Sequence, residues 1–325
     1  MTRVGVIGVG ALGRHHARLY AACAGADLVG VFDVDQEHAA AVAAEYGGSP
    51  FASIEALCAA VDAVSVAVPT NLHHQVVTQV LSLGCHVLVE KPLAATTAEA
   101  QALVSRAEEA GLILHVGHVE RFNPVITWLR ERIDHPRFIE AHRLAPYPPP
   151  RPGLPPRGTE VGVVLDLMIH DIDVILHLVG SEVVDVQAVG IPVLSQTEDI
   201  ANARLTFANG CVANVTASRV STERMRKIRV FQENAYLSLD YQERDGHVVR
   251  LGPAGMAREA VPITDHNALA VELECFVAAV GGDEPEGSAT GAHGFAAVEI
   301  AEEIVSRINT HNQLHGCKPL APLSQ

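Results

Sequence analysis

No stretch of this sequence approaches the roughly 18 uninterrupted apolar residues that a membrane-spanning helix needs. Its opening, MTRVGVIGVG, lacks the separate basic, apolar and cleavage regions of a signal peptide and reads as a buried strand. Basic residues are in the minority: 23 Lys and Arg face 38 Asp and Glu, for a formal charge of −15. That balance argues against nucleic acid or an anionic membrane as the main partner, although a local basic cluster could still meet a phosphorylated ligand. There is no CxxC pair and no HExxH. Cys23, Cys58, Cys85, Cys211, Cys275 and Cys317 are scattered, so zinc ribbons and dithiol redox motifs lack support, and a reducing cytoplasm is the expected compartment. The His15-His16 and His73-His74 pairs do not have helical metal-ligand spacing, and no metal is expected. Asp166, His170 and Asp173 could in principle ligate zinc, but nothing accompanies them. No internal repeat is present. With 48% hydrophobic and 19% charged residues in 325, the chain reads as globular and long enough for two domains.

The first third alternates strand and helix. Val4 to Val9 is a short apolar run, followed at once by Gly8-Val9-Gly10-Ala11-Leu12-Gly13 and a helix over Arg14 to Ala24. A second apolar strand, Leu28 to Phe32, ends at Asp33, twenty residues after Gly13. A lone GxGxxG is weak, but this one closes a strand, opens a helix and has its acidic partner, the context that a dinucleotide fingerprint requires. Gly8 permits the tight turn, Gly10 lets the backbone approach a pyrophosphate, and Gly13 allows close helix–strand packing. Asp33 accepts from a ribose diol and repels a 2′-phosphate, favouring NAD over NADP. Helices over Glu37 to Tyr46 and Ile54 to Ala60 come next, then a strand over Ala63 to Val68. Pro69-Thr70-Asn71-Leu72-His73-His74 follows as a strand-end segment before a helix over Gln75 to Leu83. His86 to Val89 is the fourth strand, ending in Glu90-Lys91-Pro92. A helix over Ala98 to Ala110 and a strand over Leu112 to Val116 complete a parallel sheet with helices on both faces. Ligands bind beyond the carboxyl ends of such strands, which lines up Gly10, Asp33, Thr70, Glu90-Lys91 and His118. Lys91 can donate to a substrate hydroxyl; taken alone, it reads as a solvated surface lysine.

The run Val161 to Val174, VGVVLDLMIHDIDV, sets Asp166 and His170 four positions apart. In a helix both side chains share one face, while Leu165, Ile169 and Ile172 or Val174 face a core. A carboxylate beside an imidazole can fix the ring tautomer and raise its basicity; the bland alternative is a polar helix end.

GVIGVGALGRHHA, VAVPTNLHH, GCHVLVEKPLA and the D-x-x-x-H of LDLMIHDID, in that order, resemble the glucose–fructose oxidoreductase, inositol dehydrogenase and MocA family. The resemblance implies a Rossmann NAD-binding domain with Gly8, Gly10, Ala11, Leu12, Gly13, Asp33, Pro69, Thr70, Asn71, His73, Glu90 and Lys91 at the cofactor. It also implies that Lys91 and His170, with Asp166 beside the histidine, sit around the substrate carbon that gives up hydride. Within the family, VGHVERFNP, RGTEVGVVLDLMIHDIDVILHLVG and RKIRVFQENAYLSLDYQ look like the bacterial UDP-N-acetylglucosamine 3-dehydrogenases. That likeness implies oxidation of a nucleotide-sugar 3-hydroxyl ahead of a transaminase in lipid A synthesis. His118 and an expanded proline run depart from the usual pattern.

The domains expected are 1–119, binding NAD, and 120–325, an α+β domain for substrate binding and oligomerisation. Pro124 to Ile133 reads as a helix and Arg137 to Leu144 as a strand. Pro146 to Gly158, rich in proline, is a stiff extended loop. It is either a surface excursion or a lid whose Arg151 and Arg157 meet a diphosphate. Val183 to Val193, Ile200 to Ala208, Cys211 to Arg219, Lys227 to Gln232, Tyr236 to Tyr241 and His247 to Leu251 read as strands, with hairpin turns at Asn209-Gly210 and Asp245-Gly246. Helices over Leu269 to Val280 and Phe295 to Ile308 close the chain. A large, mostly antiparallel sheet covered on one face by helices invites a second subunit on the other, and a homo-oligomer is expected. His118, Arg121 and Asn123 are candidate substrate contacts, or else parts of a domain-junction hydrogen-bond network. The expected chemistry is NAD-dependent oxidation of a secondary sugar hydroxyl, with His170 as base, Asp166 orienting it, and Lys91 positioning the hydroxyl. The alternatives are an inositol, free-sugar or nucleotide-sugar uronate dehydrogenase, and a non-catalytic NAD-binding regulator.

Overall fold

The computed structural model describes residues 1–149, 158–252, 255–283 and 285–316. The chain divides into two units, Met1–Phe122 with Asn267–Val298, and Asn123–His266 with Glu299–Gln325. Among the described residues no helix is long and apolar enough to cross a membrane, and no group of three or more His, Cys, Asp or Glu could hold a metal ion.

The first unit is built on β1 (Thr2–Ile7), α1 (Gly13–Ala22), β2 (Ala26–Phe32), α2 (Gln36–Tyr46), β3 (Ser49–Pro50), α3 (Ile54–Cys58), β4 (Ala63–Val66), α4 (Thr70–Ser82), β5 (His86–Glu90), α5 (Thr97–Ala110) and β6 (Leu114–Gly117). All strand pairs are parallel, in the order β3-β2-β1-β4-β5-β6. This is the doubly wound arrangement, whose order reverses between β1 and β4. The strands are short apolar runs because both faces are covered: every residue of β4 is buried. The helices start where the sequence supplies caps. Asp35, Ser53 and Thr96 accept from the backbone N–H of His38, Ala56 and Glu99, each satisfying one orphan donor of a first turn.

One sequence expectation is corrected here. The helix expected from Gln75 begins at Thr70, with Pro69 before its first turn. Proline's fixed φ suits a helix start, so PTNLHH is mostly helical rather than a loop. The two-residue β3 also escapes a reading by apolar periodicity, since Ser49 and Pro50 are both exposed.

The second unit holds a short helix, α6 (Pro124–Arg130), and β7 (Phe138–Leu144), α7 (Ile169–Val179), β8 (Val183–Ile191), β9 (Ile200–Phe207), β10 (Val212–Ser218), β11 (Met225–Gln232), β12 (Ala235–Asp240), β13 (Asp245–Gly252) and β14 (Gly255–Ala260). Its eight strands run β14-β13-β12-β11-β7-β10-β9-β8, antiparallel except for the β10–β7 pair. Alternation is regular along β7: Ile139, Ala141 and Arg143 are buried, and the residues between them are partly exposed. One face of the sheet is therefore core and carries α7. Two helices complete the chain, α8 (Ala268–Val280) and α9 (Gly291–His315).

Two further corrections concern a turn and a helix boundary. Asp245-Gly246 is not a turn: both residues pair within β13, with Asp240 and Leu239. The reversal uses residues 241–244, where Arg244 takes a positive φ of 59°. Asn209-Gly210 does lie in the turn between β9 and β10. The last helix starts at Gly291 rather than Phe295. A Cβ at Gly294 would lie 2.5 Å from the Val116 side chain, so glycine there permits close packing on β6 and does not break the helix.

Candidate active site

The candidate residues divide between the units. In the first unit, the chain leaves β1 through a turn that only glycine allows. Gly8 has φ +81°, and a Cβ on it would lie 2.8 Å from Ala67 O. At Gly13 a Cβ would lie 1.8 Å from Gly8 O, an impossible distance. At Gly10 nothing lies within 4 Å of that position. The empty cradle above Gly10, with no side-chain cap and no acidic residue in the first turn of α1, fits the pyrophosphate of a dinucleotide. A methyl there would occupy the space and leave the fold untouched.

Asp33 stands at the tip of β2. Its Oδ2 accepts from Val9 N–H at 2.8 Å and its Oδ1 from Asp35 N–H at 3.0 Å. His38 Nε2 donates to Val9 O at 2.8 Å. The middle residue of the glycine-rich turn is thus gripped at both its N–H and its C=O. Val34, beside Asp33, is 90% exposed, an apolar side chain offered to whatever lies over the strand tip.

At the end of β5, Glu90 accepts from His16 Nε2 at 2.9 Å; His16 is buried in α1. Burial pushes the Glu90 carboxyl upward, but the His16 hydrogen bond and the nearby His16, Lys91 and His73 charges hold it below the usual glutamate value. Lys91 follows, half-buried, on a cis bond to Pro92. His73 is buried in α4, with Nδ1 2.7 Å from Pro92 O and Nε2 3.0 Å from Val68 O. It ties the segment after β4 to the segment after β5. Burial drives its pKa down, against the two carbonyls that raise it. Pro69 and Asn71 are exposed at the start of α4, and Thr70 is buried. Ala11 is exposed and Leu12 half-exposed before α1.

His118 and Arg121 lie just after β6 and are buried; Arg121 Nη1 donates to Ser288 O at 3.3 Å. In the second unit, Asn123 Oδ1 accepts from Val125 N–H at 3.1 Å, capping α6, and its Nδ2 donates to Tyr241 O at 3.0 Å. Arg151 and Arg157 fall outside the described residues.

The D-x-x-x-H run is not one uniform helix. Residues Val164–Met168 form a π-helical turn, and α7 starts at Ile169. Hydrogen-bond periodicity of this kind cannot be read from apolar spacing, and π turns recur at functional sites. Leu165 consequently stays half-exposed while Ile169, Ile172 and Val174 are buried. Asp166 N–H donates to Gly162 O at 3.0 Å, and a Cβ at Gly158 would lie 2.5 Å from Asp166 Oδ2. Glycine at 158 therefore leaves the space that the carboxylate occupies. His170, half-buried, has Nδ1 out of reach of solvent. Beneath it, Asp171 accepts from Arg143 Nε at 2.8 Å and from the Tyr241 hydroxyl, all three buried.

Residues 2–118 match the family described as an oxidoreductase family with an NAD-binding Rossmann fold. Residues 130–238 match the GFO/IDH/MocA C-terminal domain. The chain is 43% identical, over 290 residues, to a UDP-N-acetylglucosamine 3-dehydrogenase of Acidithiobacillus ferrooxidans, covering 87% of this chain and 90% of that one.

This chain belongs to the GFO/IDH/MocA oxidoreductase family.

The solved structure of that Acidithiobacillus ferrooxidans enzyme superposes with a TM-score of 0.88 at 41% identity, covering 95% of this chain and 98% of the other. A scyllo-inositol 2-dehydrogenase (NAD(+)) of Bacillus subtilis is 29% identical over 302 residues, 86% of each chain. As a GFO/IDH/MocA oxidoreductase, the chain binds NAD and is an NAD-dependent dehydrogenase. Two residues went unremarked in the sequence beyond their failure as metal ligands or not at all: His16 and His38. Their signal was available only as position, His16 three residues past Gly13 and His38 five past Asp33.

Proposed function

We propose that the protein oxidises the 3-hydroxyl of UDP-N-acetylglucosamine to a ketone. The observation that carries the reading is the 43% identity to the 3-dehydrogenase, sustained over 290 residues. The nicotinamide of NAD supplies the hydride acceptor. His170 takes the hydroxyl proton, with Asp166 fixing its ring. Lys91 donates to the reacting oxygen and stabilises the charge that develops on it. Gly8, Gly10 and Gly13 shape the pyrophosphate cradle and Asp33 meets the ribose diol. Arg157, His118, Arg121 and Asn123 are assigned to substrate recognition. The ketone passes to an amine-transferring enzyme, in keeping with a role in lipid A synthesis.

The working form is a homo-oligomer assembled through the open face of the eight-stranded sheet, supported by exposed Val189 and Ile191 on β8 and Phe231 on β11. Light scattering on the eluting protein gives its mass directly. The cytoplasm is the assigned compartment, consistent with five free cysteines among the described residues.

Substrate profiling tests the reaction. NADH formation is followed with UDP-N-acetylglucosamine, free N-acetylglucosamine, scyllo-inositol and myo-inositol. Turnover that requires the uridine diphosphate supports the reading. Turnover of the inositols alone moves the protein to the inositol branch.

A further inference from the structure

We propose that His16 is a positioning residue for the reaction just assigned: through its hydrogen bond it holds the Glu90 carboxylate as a fixed anion beside Lys91. The inference rests on that assignment for the role of Lys91. His16 is 1% exposed, so its ring offers nothing to solvent. Its Nε2 lies 2.9 Å from Glu90 Oε1, and a carboxylate accepts, so Nε2 carries the proton. Its Nδ1 is buried and has no hydrogen-bond partner among the described residues. The single polar commitment of this buried imidazole is therefore Glu90, 74 residues away in the chain. Glycine at 117 on β6 leaves room for the carboxylate in this position: a Cβ there would lie 3.2 Å from Glu90 Oε2. The titratable groups facing Glu90 are His16 from α1, His73 from α4, and its own neighbour Lys91. An anion locked in this way opposes the Lys91 ammonium with a charge of constant place and sign. The lysine then meets its reacting oxygen without first leaving a mobile partner.

A helix-to-strand brace with no part in the reaction would make the same contact, and three variants separate the two. His16→Leu removes the donor and fills the space. His16→Gln retains an N–H near the position of Nε2. Glu90→Gln removes the anion. Rates are read across pH on whichever substrate the wild-type protein turns over, NAD affinity is read by calorimetry, and the Glu90 carboxyl is titrated by carbon NMR in the free protein. In His16→Leu the carboxyl should titrate about one pH unit higher, and kcat should fall about tenfold at neutral pH with its acid limb displaced upward. NAD affinity should stay within about threefold, because the glycine turn is untouched. His16→Gln should recover kcat to within about threefold and restore the limb, and His16→Leu added to Glu90→Gln should cost nothing further. Equal damage from Leu and Gln, or a loss confined to melting temperature or NAD affinity, overturns the proposal. So does an unmoved Glu90 titration. If His16→Leu does not fold, Glu90→Gln with an unchanged acid limb overturns it. A wild-type protein inactive on every sugar defeats the assigned reaction and leaves the Glu90 titration to decide the inference.

Discussion

Arg219 donates through Nε to Asp199 Oδ1 at 2.8 Å, and through Nη1 to Gly158 O at 3.0 Å and Val161 O at 2.8 Å. Its Nη2 reaches Ser195 Oγ and Thr197 Oγ1, each at 3.0 Å. The guanidinium, in a residue 1% exposed, thus fastens the end of β10 to the β8–β9 loop and to the backbone that enters the Asp166 turn. Asp199 accepts in addition from the N–H groups of Val193, Leu194 and Ser195. Removing one partner of such a pair strands a buried charge, at a cost of about 3–5 kcal/mol. Arg219→Met should therefore lower unfolding stability by that amount in urea titrations. A change under about 1 kcal/mol would mean that the pair is dispensable.

The glycine turn gives a paired prediction. Gly10→Ala places its methyl in open space, so the fold should keep its melting temperature while NAD affinity falls about tenfold or more. Gly13→Ala collides with Gly8 O and should lower the melting temperature outright. Scanning fluorimetry with and without NAD distinguishes the two. Equal NAD affinity for Gly10→Ala and wild type would remove the cradle from the binding site.

Acid stability follows from two buried groups. Burial pulls the His115 ring down to about 4 from its ordinary 6.5, so the folded state prefers the neutral ring. The unfolded state then binds more protons between those values, and stability is lost as pH falls from 6.5 to 4. Asp199 behaves differently. Burial pushes its carboxyl up, but the Leu194 and Val193 N–H groups, the Ser195 hydroxyl and Arg219 bring it to about 2, below its ordinary 3.8. Its contribution is complete above 3.8 and is lost as pH falls toward 2. Urea midpoints measured at pH 7, 5 and 3 should decline in two stages. His115→Phe, which can keep the stacking on Phe276, should flatten the first stage, although buried His73 adds to the same window. An undiminished first stage in that variant would exonerate His115.

Catalytic assignments separate by kinetics. His170→Asn should reduce kcat by about 10²–10⁴ with little change in KM, the signature of a lost proton acceptor. Lys91→Met should reduce kcat as well, because it removes charge stabilisation in the transition state. A Lys91 variant altered only in KM would make the lysine a binding group.

Much of the first unit was legible because its signals are local. An apolar strand, glycines whose missing Cβ the turn demands, and an acid at the next strand tip are all written at fixed spacing. The sheet of the second unit was legible from alternation, down to the turn at Asn209-Gly210. What escaped depends on tertiary contact. The π turn at Val164–Met168 depends on which carbonyl each N–H selects, which apolar spacing does not encode. Asp245-Gly246 has the composition of a turn but pairs inside β13, since Arg244 adopts the positive φ instead. His16 and Glu90 lie 74 residues apart, and only the parallel sheet brings α1 against the end of β5.

The most direct test of the account is NADH formation by the purified protein with NAD and UDP-N-acetylglucosamine, with a transaminase and glutamate drawing off the ketone. The expected result is a steady rise that requires the nucleotide sugar, yields a 3-amino sugar, and disappears in His170→Asn. A rise that persists in His170→Asn, or none with UDP-N-acetylglucosamine while an inositol is oxidised, would contradict it.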